Sequence, residues 1–411
     1  MTMTRFESAK EQYRAYGVDV DAALKKAAAT PISLHIWQGD DVKGFDNPAG
    51  GAADGIQTTG SYPGRAATFE ELKSDFLLAA AQIPGKLRLN LHASYAIFPE
   101  GKWVDRDAIT YEHFAPWVSF AKEHGFGIDF NPTVFGHPKL KNGLSLSSPD
   151  EQTRSFWVRH CIACRQIAQK IGEALDDKVL CNLWVPDGMK DTPADRLGPR
   201  TRLRDSLDAI FALPCPNVID SVESKVFGIG LESCTVGSHE FYMTYAATHP
   251  AVYPLLDNGH FHPTEVVSDK IPALLAFFDR LPLHVTRGVR WDSDHVVVLD
   301  DELKAIMAEI VRCDALEKVL IGLDYFDASI NRVAAWVIGA RNARKALLWA
   351  LLQPHAALKA MQDAGDFTQL LMTQEACKTL PFGDIWQALC DSEAVPGDAA
   401  WFPVVMKGER I

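Results

Sequence analysis

Hydrophobic and polar positions alternate along the chain in two rhythms, which divide it into short β-like runs and longer helical stretches. The β-like runs are rich in Val, Ile, Leu and Phe, and the stretches between them repeat apolar residues at helical spacing. Eight such runs predict the α/β class and the strand number that closes a (β/α)8 TIM barrel. The predicted strands are 32–37, 87–92, 127–132, 178–186, 218–227, 252–260, 281–291 and 318–326.

One predicted helix shows the pattern clearly, because Leu303, Ile306 and Ile310 fall on one apolar stripe. Residues 300–302, with the sequence DDE, come just before that stripe. We interpret them as solvated charges that a helix N-terminus favours, and not as catalytic groups.

The chain beyond the eighth predicted strand is helical in pattern as far as residue 395, with breaks at Pro354 and Pro381. This stretch exceeds what a barrel needs. We therefore expect a barrel catalytic domain over residues 1–327, including an N-terminal helix, and a helical extension over residues 328–411. The extension is apolar enough to pack on the barrel or on a neighbouring subunit.

A long connection, residues 39–64, follows the first predicted strand and is rich in Gly, Asp and Pro. Loops of this length in a compact domain are usually lids or binding loops. We expect it to cover the face of the barrel that carries the chemistry. An ordinary surface excursion remains the alternative.

Composition and charge narrow the class of protein. The chain has 411 residues, of which 47% are hydrophobic and 23% are charged. This composition is typical of globular proteins. Its net charge of −12 argues against nucleic acid or an anionic membrane as a partner. The polar start does not resemble a signal peptide, and no apolar run is long enough to span a bilayer. We expect a soluble, cytoplasmic protein.

The eight cysteines include one close pair, Cys161 and Cys164. A CxxC motif can be half of a redox or zinc site, but here both thiols share helical spacing with apolar residues. No second CxxC completes a zinc site. We expect both thiols to pack on a buried helix face.

Polar side chains collect where the predicted strands end, which is where active sites of such barrels lie. Each has an ordinary explanation, such as a hydrogen-bonded core histidine or a solvated carboxylate. Their convergence on one face favours a functional site. The candidates are His92, Asn131, Trp184, Glu223, Lys225, Asp257, His260, His284 and Asp324, with Asp292 and Asp294 directly after the seventh strand.

The carboxylates and imidazoles among them divide into two candidate metal-binding groups. The fuller group comes from strands five to eight and suits a hard or borderline divalent ion such as Mn²⁺. The more open group leaves positions free for water or substrate, as catalytic metals require. The first group is Glu223, Asp257, His284 and Asp324, and the second is His260, Asp292 and Asp294.

Charge supports a site with two ions. The two groups contain five carboxylates, which would repel one another without metal and raise their own pKa values. Two divalent ions leave one negative charge uncompensated. Lys225 lies two residues from Glu223, on the same strand face, and supplies the missing positive charge.

Motifs along most of the chain resemble those of the L-rhamnose isomerase family, with their order and spacing kept. The combination of RWDSDHVV with DNGHFHPTE is highly specific. The family's first motif often has Cys where this chain has Ile36, an exchange that we expect to matter little. The matching stretches are HIWQGDDV, NLHA, DFNP, LWVPDGMKD, VESKVFGIG, DNGHFHPTEV, RWDSDHVV and GLDYFDASINR.

This resemblance implies a TIM barrel with a helical extension that interconverts L-rhamnose and L-rhamnulose in L-rhamnose catabolism. It also implies a homotetramer and two divalent ions, typically Mn²⁺, with Zn²⁺, Co²⁺ or Mg²⁺ as possible substitutes. Carried over by motif, it assigns the same two ligand groups as above and sets Lys225 beside the substrate.

Two routes can move hydrogen between C1 and C2 of the sugar: a base that forms an enediol, or a metal-assisted hydride shift. Seven candidate ligands favour the hydride shift. Trp184 would form an apolar wall over the sugar carbons, and His92 would bind a hydroxyl or assist ring opening. Asn131 is a further substrate-binding candidate. Catalytic roles are expected for His92, Lys225, Asp292 and Asp324.

Two rival functions make different predictions. A barrel metallohydrolase needs a basic or phosphate-binding feature at the strand ends, where only Lys225 and Lys190 stand out. A catalytically idle sugar-binding relative predicts a damaged ligand set. Two nearby residues have structural interpretations: Asp327 is expected to cap a helix that begins near Ala328, and His262 to be structural.

Overall fold

The chain forms a closed barrel of parallel β-strands, as the sequence predicts. The structure is a computed structural model that describes residues 3–46, 56, 58–100, 102–225 and 233–408. Each strand pairs in parallel with its neighbours around the ring. The barrel strands are β1 Ile32–His35, β2 Leu87–His92, β3 Gly127–Asn131, β4 Val179–Trp184, β5 Val218–Glu223, β6 Val252–Asp257, β7 Leu281–Val285 and β8 Val319–Leu323.

Helices surround the barrel, and side-chain caps at Asp19, Thr68 and Asp150 begin three of them. The α-helices are α1 Arg5–Arg14, α2 Val20–Ala29, α3 Phe69–Ala80, α4 Ala115–His124, α5 Glu151–Leu175, α6 Leu197–Phe211, α7 His239–Thr248, α8 Lys270–Leu275, α9 Asp301–Arg312, α10 Arg332–Leu351, α11 His355–Asp363, α12 Phe367–Cys377, α13 Phe382–Ser392 and α14 Phe402–Lys407. Short 3-10 turns lie at Ile36–Gln38, Ala93–Tyr95, Arg106–Ala108 and Tyr111–His113, and Gly188–Met189 pairs antiparallel with Cys234–Thr235 outside the barrel.

The interior of the barrel changes from apolar to polar along β4, β5 and β6. Leu180 and Ile219, near the N-terminal ends of β4 and β5, pack together with Leu255, which lies two residues before the end of β6. Because side chains alternate across a strand, residues two and four positions later point to the same interior. These later positions include Glu223 and Asp257, both buried. The lower barrel is thus apolar on the side of β4 to β6, while on the side of β1 to β3 Asp129 accepts hydrogen bonds from Ser33 and Arg88.

Helix α10 packs against α2, α3 and α9 and so completes the helical ring after β8. Its Arg344 is fully buried and ties the helix to the chain segments before β1 and β2. The guanidinium donates hydrogen bonds to the backbone carbonyls of Ala27, Thr30, Pro84 and Lys86. The division into residues 1–327 and 328–411 stays a prediction.

The predicted breaks in the helical extension are confirmed. Pro354 directly precedes α11, and Pro381 directly precedes α13. Helix α13 packs on α1, and Trp386 and Leu389 join the apolar cluster between them. Among the residues that the structure describes, no helix combines the length and hydropathy needed to cross a membrane.

Two further expectations about helices are confirmed. Asp300 caps α9 by accepting a hydrogen bond from the Leu303 backbone N–H at 2.9 Å. Cys161 and Cys164 lie fully buried on α5 as free thiols, and burial raises the pKa of both. Both thiols are therefore packing residues.

The expected role of Asp327 as a helix cap is wrong. Helix α10 begins at Arg332, and Asn331 is its cap. Asp327 instead accepts hydrogen bonds from Ser329 and from the Val296 backbone N–H at 3.0 Å. Its carboxylate therefore ties together the loops that follow β7 and β8, which a helix cap would not do.

The predicted lid, residues 39–64, is described only at its two ends, since residues 47–55 and 57 lie outside the described ranges. At the first end, Phe45 donates its backbone N–H to Ser94 at 2.7 Å. At the second end, the Thr59 hydroxyl donates to the Ser293 carbonyl at 2.9 Å. Both ends are thus attached at the C-terminal face, and the lid role stays a prediction.

Candidate metal centre

The polar residues that end the strands meet at the C-terminal mouth of the barrel. Four of them can each direct one ligand atom to a common position, and these atoms lie within 4.8 Å of one another. The imidazole Nδ1 of His284 lies 3.3 Å from both Glu223 Oε2 and Asp324 Oδ2. The four residues are Glu223, Asp257, His284 and Asp324, which are the predicted fuller group.

A second group lies beside the first and shares one residue with it. Asp257, His260 and Asp292 also offer ligand atoms within 4.8 Å of one another. His260 Nε2 is 3.4 Å from Asp292 Oδ2, and His260 Nδ1 is 3.0 Å from the Ser224 carbonyl oxygen. Because Asp257 belongs to both groups, its carboxylate is within reach of both candidate cation positions.

Asp294, the remaining predicted ligand, does not join either compact group. Its backbone is left-handed, with φ of 47°, and its carbonyl accepts a hydrogen bond from the Phe326 N–H at 3.2 Å. Burial raises the pKa of Asp294 well above its usual range, and the charge of Asp292 adds to the rise. Asp294 therefore lies at the edge of the cluster, with its charge poorly compensated.

Several ligand atoms in this cluster have no hydrogen-bond partner among the described residues. They include Asp257 Oδ2, Asp292 Oδ1, Asp324 Oδ1 and His284 Nδ1. A buried carboxylate oxygen without a donor is costly, and a cation removes that cost. The donor set of carboxylates and imidazoles fits divalent ions such as Mn²⁺.

The electrostatics of the cluster point the same way. Burial raises the pKa of Asp257 to about 8, although His260 opposes this, and burial also raises the pKa of Asp324. Burial lowers the pKa of His284, but Glu223 and Asp324 together outweigh it and raise that pKa to about 10. Like charges that raise one another's pKa in this way favour the binding of a cation among them.

Neighbouring residues hold the ligands in place. The Asn182 amide donates to Glu223 Oε2 at 2.5 Å, and its carbonyl accepts from the Ser221 hydroxyl at 2.9 Å. The Gly259 N–H donates to Asp257 Oδ1 at 2.7 Å. A Cβ at Gly259 would lie 2.5 Å from Asp292 Oδ1, so only glycine permits this close approach.

Lys225 and Trp184 adjoin the second group. The Lys225 Nζ lies 2.6 Å from Asp292 Oδ2 and 5.2 Å from the centre of the Trp184 ring. Burial lowers the pKa of Lys225, but Asp292 and Asp294 outweigh it and raise the pKa above its usual value. The half-buried Trp184 ring also lies parallel to His260 at 6.2 Å. The ammonium group of Lys225 and the apolar ring of Trp184 thus border the second group.

The other two substrate-binding candidates differ in what their side chains already contact. His92 stacks on Trp37 with ring centres 3.9 Å apart, and its Nδ1 is buried without a partner among the described residues. The Asn131 amide donates to Asn90 Oδ1 at 2.5 Å and to the Leu91 carbonyl at 2.9 Å. Its amide hydrogens are therefore engaged within the barrel.

Sequence reasoning missed His35 and Asn182. His35 lies within reach of His284 and Asp324, and it is the last residue of β1. The predicted strand continued to residue 37, so His35 was not considered as a strand end. Asn182 lies two residues before Trp184 and points to the same interior. The two-residue period would have found it.

Comparisons with known proteins show which family this chain is similar to. A family model described as L-rhamnose isomerase (RhaA) matches residues 1–410. The chain is 53% identical over 406 residues to the L-rhamnose isomerase of Rhodopirellula baltica, covering 98% of this chain and 94% of that protein. It is 52% identical over 407 residues to the L-rhamnose isomerase of Yersinia pseudotuberculosis, covering 98% and 97%.

Solved structures support the fold. A protein of Anabaena variabilis, whose proposed class is sugar phosphate isomerase/epimerase, has a TM-score of 0.51 and 11% identity to this chain. The match covers 80% of this chain and all of that one. At this identity the likeness concerns the barrel fold alone.

Proposed function

The chain belongs to the L-rhamnose isomerase family of aldose–ketose isomerases, and on that premise we propose that it interconverts L-rhamnose and L-rhamnulose by a hydride shift between C1 and C2. The observation that carries the proposal is a set of buried carboxylate oxygens at the barrel mouth without partners among the described residues. They belong to two groups that share Asp257. The reaction would serve L-rhamnose catabolism.

The two groups would hold two divalent ions, with Mn²⁺ the preferred ion and Zn²⁺, Co²⁺ or Mg²⁺ as substitutes. When bound, such ions supply Lewis-acid polarisation of the sugar's carbonyl and hydroxyl oxygens. Asp257 would bridge the groups. The first ion would be held by Glu223, Asp257, His284 and Asp324, and the second by His260, Asp292 and Asp257. Asp294, at the edge of the cluster, remains the further proposed ligand of the second ion.

The remaining residues orient the sugar. Lys225 can donate from Nζ to a sugar oxygen while it stays beside Asp292, 2.6 Å away. The Trp184 ring forms the apolar wall over the sugar carbons and helps to exclude water. His92 binds a sugar oxygen, and Asn131 supports the neighbouring strand end.

The carboxylates can also carry the smaller proton load of the reaction. A proton must pass between O1 and O2 while hydrogen moves between the carbons. Asp292 Oδ1 and Asp324 Oδ1 have no hydrogen-bond partners within the described ranges. These oxygens are the proposed acceptors for that proton, which gives both residues a catalytic role.

An isotope experiment tests the hydride shift. L-Rhamnose labelled with deuterium at C2 is converted in ordinary water, and the label at C1 of L-rhamnulose is measured by NMR. A hydride shift keeps the deuterium, because the hydrogen never becomes an exchangeable proton. Near-complete loss of label would contradict the proposal and favour a side-chain base that forms an enediol.

Chelation tests the metal requirement. The metal-free chain is expected to lose isomerase activity and to recover it with Mn²⁺. Formation of the ketose is followed from L-rhamnose and from a panel of other aldoses. Full activity at sub-stoichiometric metal would contradict the proposed cofactor.

We further propose a homotetramer in the cytoplasm, with residues 328–411 contributing to contacts between subunits. Helix α12 presents exposed Phe367, Leu371 and Met372 on its surface, and such apolar groups mark interaction sites. Light scattering with chromatography should give four chains per particle. The Leu371→Glu variant should shift the mass downward, and a wild-type monomer would contradict the proposal.

A further inference from the structure

A row of three imidazoles crosses the barrel mouth from a candidate sugar-binding residue to a candidate metal ligand. His35 lies between His92 of β2 and His284 of β7, and all three are buried. His92 Nε2 is 3.4 Å from His35 Nδ1, and His35 Nε2 is 3.4 Å from His284 Nε2. Hydrogen bonds can therefore connect the three rings in series.

Ring packing holds the planes of the three imidazoles. Trp37 stacks on His92 at 3.9 Å and on His35 at 4.8 Å between ring centres. The His35 and His284 rings meet edge to face, with an interplanar angle of 82°. A half-turn of a ring about its Cβ–Cγ bond would keep the stack but would replace the N···N contacts with C–H contacts, so the two contacts of 3.4 Å favour the orientation described.

The proton order follows from the metal end of the row. His284 Nδ1 faces the carboxylates of Glu223 and Asp324, at 3.3 Å from each. A neutral imidazole that ligates a cation through Nδ1 carries its proton on Nε2. That N–H points at His35 Nε2, which must then be the acceptor.

The proton of His35 accordingly lies on Nδ1. An independent contact favours the same arrangement, because Asp324 Oδ1 lies 3.6 Å from His35 Nδ1 and attracts an N–H there. Two N–H groups cannot face each other, so His92 Nε2 accepts from His35. The proton of His92 then lies on Nδ1, which has no partner among the described residues.

We propose that His35 is a positioning residue that fixes the tautomers of both neighbours. It keeps the Nδ1 lone pair of His284 directed at the first cation. It also makes His92 a hydrogen-bond donor, because the proton then lies on Nδ1. The Nδ1–H of His92 donates to a sugar oxygen. The inference rests on the proposed function, because it takes His284 as a metal ligand and His92 as a sugar-binding residue.

Neutron diffraction tests the proton order directly. Crystals of the full chain with Mg²⁺, soaked in D₂O, show where deuterium lies on each ring. The expected positions are His284 Nε2, His35 Nδ1 and His92 Nδ1. Deuterium on His35 Nε2 or on His92 Nε2 overturns the proposal.

Two variants separate the two halves of the row. In His35→Gln, the side-chain amide reaches the position of Nε2, where its carbonyl can accept from His284. In His35→Asn, the amide reaches the position of Nδ1, where its NH₂ can donate to His92. Each variant therefore keeps one contact and loses the other.

Calorimetry measures Mn²⁺ binding to the metal-free chain and L-rhamnitol, a non-reacting polyol, binding to the Mn²⁺-loaded chain. His35→Asn should weaken Mn²⁺ binding about 10- to 100-fold, whereas His35→Gln should stay within about threefold of wild type. L-Rhamnitol binding should instead be weakened in His35→Gln and should stay near wild type in His35→Asn. The exposed His124→Gln variant is the control and should change neither.

If both variants lost affinity for Mn²⁺ and for L-rhamnitol by the same factor, the inference would be overturned, because such a result would indicate packing damage alone. Failure of the proposed function looks different. In that case the wild-type chain itself would not bind Mn²⁺ or isomerise L-rhamnose. A wild-type chain that does both, without the expected split between the variants, refutes only the role of His35.

Discussion

Two buried carboxylates on neighbouring strands differ in how their charge is compensated. Asp220 of β5 faces the helical layer, where Arg165 donates to both of its oxygens at 2.8 and 2.7 Å. Asp257 ends β6 at the barrel mouth, and its Oδ2 has no hydrogen-bond partner among the described residues. The charge of Asp220 is compensated by a residue of the protein, whereas the charge of Asp257 requires a bound cation.

Their surroundings extend this contrast. Burial raises the pKa of Asp220, and Arg165 opposes the rise. Burial also raises the pKa of Asp257, to about 8, and the carboxylates of Glu223 and Asp292 add to it. The helical layer therefore pairs opposite charges, while the mouth gathers like charges. Buried charges that repel one another are a better indicator of function than buried charge itself.

The largest expected effect follows from Asp257→Asn. This variant removes one charge from both candidate metal groups, so kcat with saturating Mn²⁺ should fall about 1,000-fold, roughly 4 kcal/mol of barrier. Urea unfolding of the metal-free variant should show equal or greater stability, because repulsion among the carboxylates decreases. An unchanged kcat would remove Asp257 from the catalytic centre.

The matched control, Asp220→Asn, should affect stability instead. It leaves the Arg165 guanidinium buried without its counter-charge, which costs about 3–5 kcal/mol in the free energy of unfolding. The kcat of the folded fraction should stay within about twofold of wild type, since Asp220 faces away from the mouth. Adding Arg165→Met should restore part of the lost stability. A large loss of kcat in Asp220→Asn, with the free energy of unfolding unchanged, would contradict the contrast between Asp220 and Asp257.

Asp40 is a third case, a buried carboxylate that accepts from the Tyr95 hydroxyl at 2.6 Å and the Gly44 N–H at 2.8 Å. Burial raises its pKa from 3.8 to about 7, against both hydrogen bonds. Its contribution to stability is therefore fully present below pH 3.8 and is lost as the pH rises to about 7.

Asp40→Asn cannot ionise, so it isolates that pH dependence. The unfolding free energy of wild type minus that of the variant should fall by on the order of 1.4 kcal/mol per pKa unit across this window. Urea unfolding at several pH values measures it. A difference that is flat with pH, or that rises, would contradict the burial effect.

The smallest effect is expected for Asp300→Asn. Asp300 caps α9 from the surface, and Asn caps helices as well as Asp does. Only the interaction with the helix dipole is lost, which is worth about 0.3–1 kcal/mol. Thermal unfolding and kcat should both remain near wild type. A loss of kcat equal to that of Asp257→Asn would mean that the site has been placed wrongly.

The eight strands could be predicted from the sequence because apolar runs and helical repeats differ in period. Strand ends could not. The first and seventh runs were expected to reach residues 37 and 291, but β1 ends at His35 and β7 at Val285. Apolar residues occur beyond both ends, where Ile36 and Trp37 lie buried in a 3-10 turn and Val289 and Trp291 are exposed. A pattern of hydrophobicity does not separate such segments from a strand.

The site itself was predictable as far as the strand-end rule reaches. That rule selects Asp257 and His284, and parallel pairing sets them side by side. The sharing of Asp257 by both groups, and the position of Asp294 at the edge, depend on distances across the barrel. Such distances come from strand tilt and loop conformation, which local patterns do not encode. His35 was missed because the first strand was predicted to continue to residue 37, so His35 was not considered as a strand end.

Manganese stoichiometry tests the central claim most directly, namely that the unsatisfied carboxylates at the mouth are cation ligands. Titration calorimetry of the metal-free chain, with elemental analysis of the product, counts bound Mn²⁺ per chain. Wild type and Asp220→Asn should each bind two ions, and Asp257→Asn at most one. No bound ion in wild type, or the same two ions in Asp257→Asn at unchanged affinity, would contradict the account.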